Sequence, residues 1–193
     1  GDIDLEGSID VNGTTNLDIV DVDGAVNFAA DVTFADGADI ITASAGTSNF
    51  RAGVNAGNSI ESGGNYNVAV GDESGTAITT GDSNTFVGYQ SGDATTTASN
   101  NTAVGYTALT TNTTGATNTA VGDSALYSNT TAANNTAVGA SALSANTTGP
   151  NNVAVGRSAL LANTTGSENV AVGTSALDAN TTGAHNTALG SAA

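Results

Sequence analysis

Asn152-Val153-Ala154-Val155-Gly156-Arg157-Ser158-Ala159-Leu160-Leu161-Ala162-Asn163-Thr164-Thr165-Gly166 is one copy of a phrase that returns every 17 residues through the second half of the chain. Its Gly156 belongs to a column made of Gly53, Gly71, Gly88, Gly105, Gly122, Gly139, Gly156, Gly173 and Gly190, with one step of 18 and then steps of 17 only. The clearest copies begin at Asn101, Asn118, Asn135, Asn152 and Asn169. A fixed period of this length marks a repeat architecture in which each unit stacks on the next.

The period alone admits a helical pair or one coil of a β-solenoid, and composition decides between them. Each unit carries several Thr, Asn and Gly, all poor in helix interiors, and too few Leu for an apolar helical stripe. Val153 and Val155 alternate with Ala154, the period-2 signature of a short strand. A second short strand is expected through Ser-Ala-Leu, with Leu109, Leu126, Leu143, Leu160 and Leu177 facing inward. Gly and the Asn-Thr-Thr-Gly segment supply the turns. The expected fold class is therefore all-β, a parallel β-solenoid of 17-residue coils.

Stacked coils place identical residues above one another at ~4.8 Å, so eight to nine coils would make a rod roughly 40 Å long. The Asn that opens each repeat, at Asn49, Asn67, Asn84, Asn101, Asn118, Asn135, Asn152, Asn169 and Asn186, is expected to form a structural ladder of amide hydrogen bonds. Ala103, Ala120, Ala137, Ala154, Ala171 and Ala188 are expected on the face opposite the valines, as a flat strip of small residues on which other chains pack. One thin coil buries little, which favours an oligomer.

Composition sets the other limits. The 193 residues hold 18 Asp+Glu against 2 Lys+Arg, a net charge of −16, with 25 Gly, one His and no Cys, Met or Trp. Nucleic acid and anionic membrane surfaces are excluded as partners, because phosphate binding needs clustered Lys and Arg, and neither Arg51 nor Arg157 has a basic neighbour. No apolar run is long enough for a membrane-spanning helix. Residues 1–48 follow another pattern, in which apolar pairs such as Ile3/Leu5, Ile9/Val11 and Val26/Phe28 alternate with Asp-rich breaks, and ten of the 18 acids lie here. Two segments are expected, an acidic short-strand β-stalk at 1–48 and the solenoid at 49–193. The chain begins without Met, stops inside a repeat and reads as a piece of a longer one.

Chemistry is sparse. His185, the single histidine, sits in a variable turn with no Ser positioned beside it, and Asp72-Glu73 is the best adjacent acid pair for glycoside hydrolysis, although neighbours on a strand point to opposite faces. The chain has no P-loop, no His-Glu-x-x-His and no EF-hand loop. The expectation is a protein that is not an enzyme, with no cofactor and no metal site. Recognition has to come from variable columns. The position after the repeat Gly runs Asp72, Tyr89, Tyr106, Asp123, Ala140, Arg157, Thr174 and Ser191, so it is expected to be exposed, with Tyr89 and Tyr106 as neighbours. Tyr127 and Leu161 belong to a second variable column. Tyr89, Tyr106, Tyr127 and Arg157 are the candidate receptor contacts.

Asn-Val-Ala-Val-Gly-x-Ser-Ala-Leu resembles the head-domain repeats of trimeric autotransporter adhesins, and the longer form at 101–115 is similar to repeats of phage tail-fibre proteins. Residues 9–24 are similar to tail-fibre stalk repeats. The resemblance covers most of the chain, although the unit is longer than the usual adhesin-head repeat. It implies a left-handed, homotrimeric β-roll that is the structural shaft of a virion tail fibre, works with other tail proteins and supports attachment to a host glycan or protein. The alternatives are the head or stalk of a bacterial surface adhesin, hence an extracellular location, and an ice-binding solenoid presenting the Thr pairs at 113–114, 130–131, 147–148, 164–165 and 181–182.

Overall fold

A computed structural model describes residues 45–193, which belong to one compact unit. The expected stalk lies outside the described residues apart from 45–48. Nine three-residue strands follow one another: β1 (Phe50–Ala52), β2 (Val68–Val70), β3 (Thr85–Val87), β4 (Thr102–Val104), β5 (Thr119–Val121), β6 (Thr136–Val138), β7 (Val153–Val155), β8 (Val170–Val172) and β9 (Thr187–Leu189). They form one parallel sheet in chain order, and no helix occurs among the described residues. Thr102 pairs with Thr119, Ala103 with Ala120 and Val104 with Val121, and every later pair keeps this register. The described residues thus form a parallel β-solenoid, and its strands span about 38 Å along the stack.

Each strand is bounded by residues that leave the extended region. The residue before the opening Asn is left-handed, with φ of 62° at Asn100, 60° at Thr117 and 60° at Asn151. The repeat Gly that follows the strand has φ of 123° to 142° from Gly53 to Gly190, a region that only glycine enters readily. Only four residues, the opening Asn and the three of the strand, fit between two such corners.

The face assignment differs from expectation. Ala69, Ala103, Ala120, Ala137, Ala154 and Ala171 are fully buried, and it is the flanking residues, Thr102 with Val104 or Val153 with Val155, that point outward. Leucine explains the inversion. Leu109, Leu126, Leu143 and Leu160 are fully buried in a single column and pack with the alanines, so the space inside each coil is already taken and only a methyl fits beside it. Each such Leu contributes about 1.5–3 kcal/mol by leaving water. The alanine strip therefore cannot be an association surface.

Nor do the leucines lie on a second strand. Ser-Ala-Leu is a turn in which Ser124 and Leu126 both have positive φ, 54° and 52°, and the same holds in the copies at Ser141/Leu143, Ser158/Leu160 and Ser175/Leu177. The turns are nonetheless bonded coil to coil: Leu109 N–H donates to Ala125 C=O at 2.9 Å, and Ser124 N–H donates to Tyr106 C=O at 2.9 Å.

Candidate functional site

Three polar columns link one coil to the next. In the opening Asn column the backbone N–H of each Asn donates to the Oδ1 of its predecessor: Asn67 to Asn49 at 2.8 Å, Asn84 to Asn67 at 2.9 Å, Asn101 to Asn84 at 3.0 Å, Asn118 to Asn101 at 2.9 Å and Asn135 to Asn118 at 3.0 Å. Asn152, Asn169 and Asn186 continue it at 2.9 Å, 3.0 Å and 3.0 Å. Nδ2 mostly turns to a turn carbonyl, as from Asn118 to Ala132 at 2.9 Å. The ladder is chiefly backbone to amide, with direct amide pairs such as Asn169 to Asn152 at 3.1 Å added.

A second ladder was not anticipated. Asn129 Nδ2 donates to Asn112 Oδ1 at 2.9 Å, Asn146 to Asn129 at 3.1 Å, Asn163 to Asn146 at 3.1 Å and Asn180 to Asn163 at 2.9 Å. These residues sit in Asn-Thr-Thr-Gly, or Asn-Thr-Thr-Ala at 129–132, where Asn reads as a turn former. Their strict 17-residue spacing was the available signal, as regular as that of the first column. Asn112, Asn129, Asn146 and Asn163 are fully buried, so their sequons are closed to a glycan. In the third column the first Thr of each pair donates onward through Oγ1, Thr113 to Thr130 C=O at 3.0 Å and Thr147 to Thr164 C=O at 3.0 Å.

The fixed columns are thereby occupied with holding the stack, and what is left for recognition is the variable surface. Asp72, Tyr89, Tyr106, Asp123, Ala140, Arg157, Thr174 and Ser191 are all exposed. Tyr89 and Tyr106 stack, with ring centroids 5.3 Å apart and planes 17° from parallel. On the Tyr89 side Gln90 Nε2 donates to Glu73 at 2.6 Å. Partial burial, then the charges of Glu73, the Tyr106 ring, Asp72 and Asp93, push the Tyr89 phenol above its ordinary pKa. Burial also lifts the Asp93 carboxyl, with Glu73 adding to the effect. On the Tyr106 side Ser124 Oγ donates to Asp123 Oδ1 at 2.7 Å and lies 3.2 Å from Thr107 Oγ1. Tyr127 is exposed one coil beyond Tyr106, and Arg157, three coils beyond it, makes no ion pair among the described residues.

The other chemically suggestive residues do not converge. His185 pairs with Glu168 at 3.0 Å, both side chains more than half exposed. Glu73 is held by Gln90 while Asp72 points to solvent. No three His, Asp or Glu gather into a metal-holding group among the described residues. No protein-family profile, curated protein or solved structure matches the chain.

Proposed function

We propose that this chain is the structural shaft of a homotrimeric, left-handed tail fibre that supports host attachment from the virion. The observation that carries the reading is the use of the recurrent columns: the repeat glycine, the opening asparagine, the second asparagine from Asn112 onward and the first threonine all serve contacts between coils. Such a chain is suited to spanning distance. The repeat phrase, similar to those of phage fibres, points the same way, and a bacterial surface adhesin is the competing reading on the same resemblance.

The trimer contact falls on the outward strand face in place of the buried alanines. Val104, Val138 and Val155 are exposed there, and Val70, Val87, Val121 and Val172 are half-buried in the same column, so a row of aliphatic side chains follows the stack. An apolar row of this length exceeds the scattered apolar residues usual on a monomer surface. The ice-binding alternative loses ground, because the first Thr of each pair has its hydroxyl proton committed to the next coil. Light scattering on the purified chain is expected to give three times the mass of one chain, and Val138→Glu with Val155→Glu is expected to give the monomer mass with unchanged circular dichroism. A monomeric parent chain would overturn the trimer. Antibody against residues 101–193, seen by electron microscopy on virion tails or on bacterial cells, separates fibre from adhesin.

A further inference from the structure

The column after the repeat Gly has a profile as well as a composition. Reading along the stack it is Asp72, Tyr89, Tyr106, Asp123, Ala140 and Arg157, two large rings followed by two short side chains and then a long cation. Because the rings stack on each other, their facing surfaces are used up, and Tyr106 turns its second face toward the coils of Asp123 and Ala140. Exposure agrees with this: Tyr106 is 57% exposed and Tyr89 39%. The result is a step in the surface, walled by the Tyr106 ring and floored by Asp123 and Ala140. It ends at Arg157, three coil spacings or about 14 Å away.

The floor is prepared for hydrogen bonding. Ser124 donates to Asp123 Oδ1, so the close Thr107 hydroxyl is left to donate to Ser124, and this relay beside the Tyr106 wall orients the carboxylate. A carboxylate accepts about four hydrogen bonds and Asp123 has only this one among the described residues, leaving capacity for a pair of vicinal hydroxyls. Arg157, with no ion pair among the described residues, presents donors at the far end. An aromatic face, a carboxylate acceptor next to it and a donor beyond are the three contacts that a pyranose offers to match: an apolar ring face and flanking hydroxyls.

We propose that this step binds neutral pyranose disaccharides, with Tyr106 stacking on a sugar ring, Asp123 accepting from its hydroxyls and Arg157 donating to the second sugar. Asp123 on the floor and Asp72, Glu73 and Asp93 behind the Tyr pair repel anionic sugars. The site goes beyond a spacer's role and stands whether or not the chain belongs to a fibre.

With four Tyr and no Trp, intrinsic tyrosine emission reports ring contacts directly. The purified chain is titrated with lactose, cellobiose and maltose. At least one of them is expected to change the emission saturably, with binding weakened at least about tenfold in Tyr106→Ala and in Asp123→Ala. Tyr66→Ala, which removes another exposed ring, is expected to leave affinity unchanged, and circular dichroism checks that each variant is folded. Absence of a saturable change with all three sugars overturns the site, as does equal affinity in Tyr106→Ala or equal loss in Tyr66→Ala. Tighter binding of sialyllactose than of lactose overturns the assignment to neutral sugars.

Discussion

At the residue scale, Gly122 shows why so plain a composition is obligatory. Its φ is +135°, and a Cβ placed on it would lie 2.6 Å from both the carbonyl carbon and the oxygen of Gly139 in the next coil. Gly190 shares the backbone conformation, φ +133°, but its nearest neighbour would be Ala193 Cβ at 3.7 Å. The pair separates strain from close approach. Gly190→Ala is expected to cost about 1–2 kcal/mol and Gly122→Ala about 3 kcal/mol or more, read from urea unfolding followed by circular dichroism. Asn118 gives a second, pH-dependent prediction. It is buried, its Oδ1 accepts from Asn135 N–H and its Nδ2 donates to Ala132 C=O. In Asn118→Asp a neutral carboxylic acid reproduces both bonds, whereas the carboxylate meets the Ala132 carbonyl as a buried unpaired charge. The native pKa of the new acid is therefore raised above its unfolded value. Its penalty, about 3 kcal/mol, is full above the native pKa, fades as pH falls through it, and is gone below the unfolded value of about 3.9. Melting temperatures of the variant and parent chain are expected to converge between pH 7 and pH ~4, and a constant gap would sink the argument.

At the element scale, the first three coils solve the packing problem differently from the rest. Phe86 stands in β3 where the later strands carry Ala, and Gly57, Gly75 and Gly92 stand where the later coils carry Leu109 and its successors. A Cβ on Gly92 would lie 2.5 Å from the Phe86 ring, so bulk has moved from the turn to the strand. The φ of Gly92, 61°, is close to the 56° of Leu109, so the backbone already suits leucine. Phe86→Ala alone is expected to cost about 3–5 kcal/mol and Gly92→Leu alone to clash, while the double variant recovers part of the loss. A double-mutant cycle by chemical denaturation, with additive losses as the contrary result, decides it. The same coils show what could be read from sequence. The period, the Val-Ala-Val strand, the inward leucines and the glycine corners were legible because each recurs at 17 residues, whereas the second strand expected through Ser-Ala-Leu is a turn. The strand's phase was not, because Val-Ala-Val alternates between two apolar types and offers no polar contrast. Thr102-Ala103-Val104 held the missing sign, since Thr shares a face with Val and leaves Ala alone inside. The left-handed leucines were hidden because leucine seldom adopts positive φ, and the glycines at 57, 75 and 92 were the trace of that backbone. Tyr89 and Tyr106 were legible as neighbours from spacing, but the step beside Tyr106 depends on the rings facing each other, which spacing does not encode.

At the scale of the whole molecule, the described residues behave as a one-dimensional stack, because each strand pairs only with its sequence neighbours. Stability is then close to a sum of coil terms and nearest-neighbour terms, and what must be conserved is register. The glycine corners show how little slip is tolerated: with each repeat Gly from Gly53 to Gly173 facing the next, a shift of one residue would set a side chain where a Cβ would come within 2.2–2.6 Å of a carbonyl oxygen. It would also move both asparagines off their ladders and turn every alanine outward. Deleting 119–135 removes one whole period and joins Asn118 to Thr136, so the Asn, Ala, Val, Gly and Leu columns each close on an identical residue. Deleting 120–135 removes one residue fewer and leaves each later column out of phase. The first variant is expected to keep the parent circular dichroism per residue and to melt cooperatively within a few degrees of the parent. The second is expected to lose the β signal of the coils beyond the junction and to expose them to protease. Since the two variants differ by a single residue in length, chain length cannot account for such a difference, and comparable melting of both would show that the coils are held by something other than in-register columns.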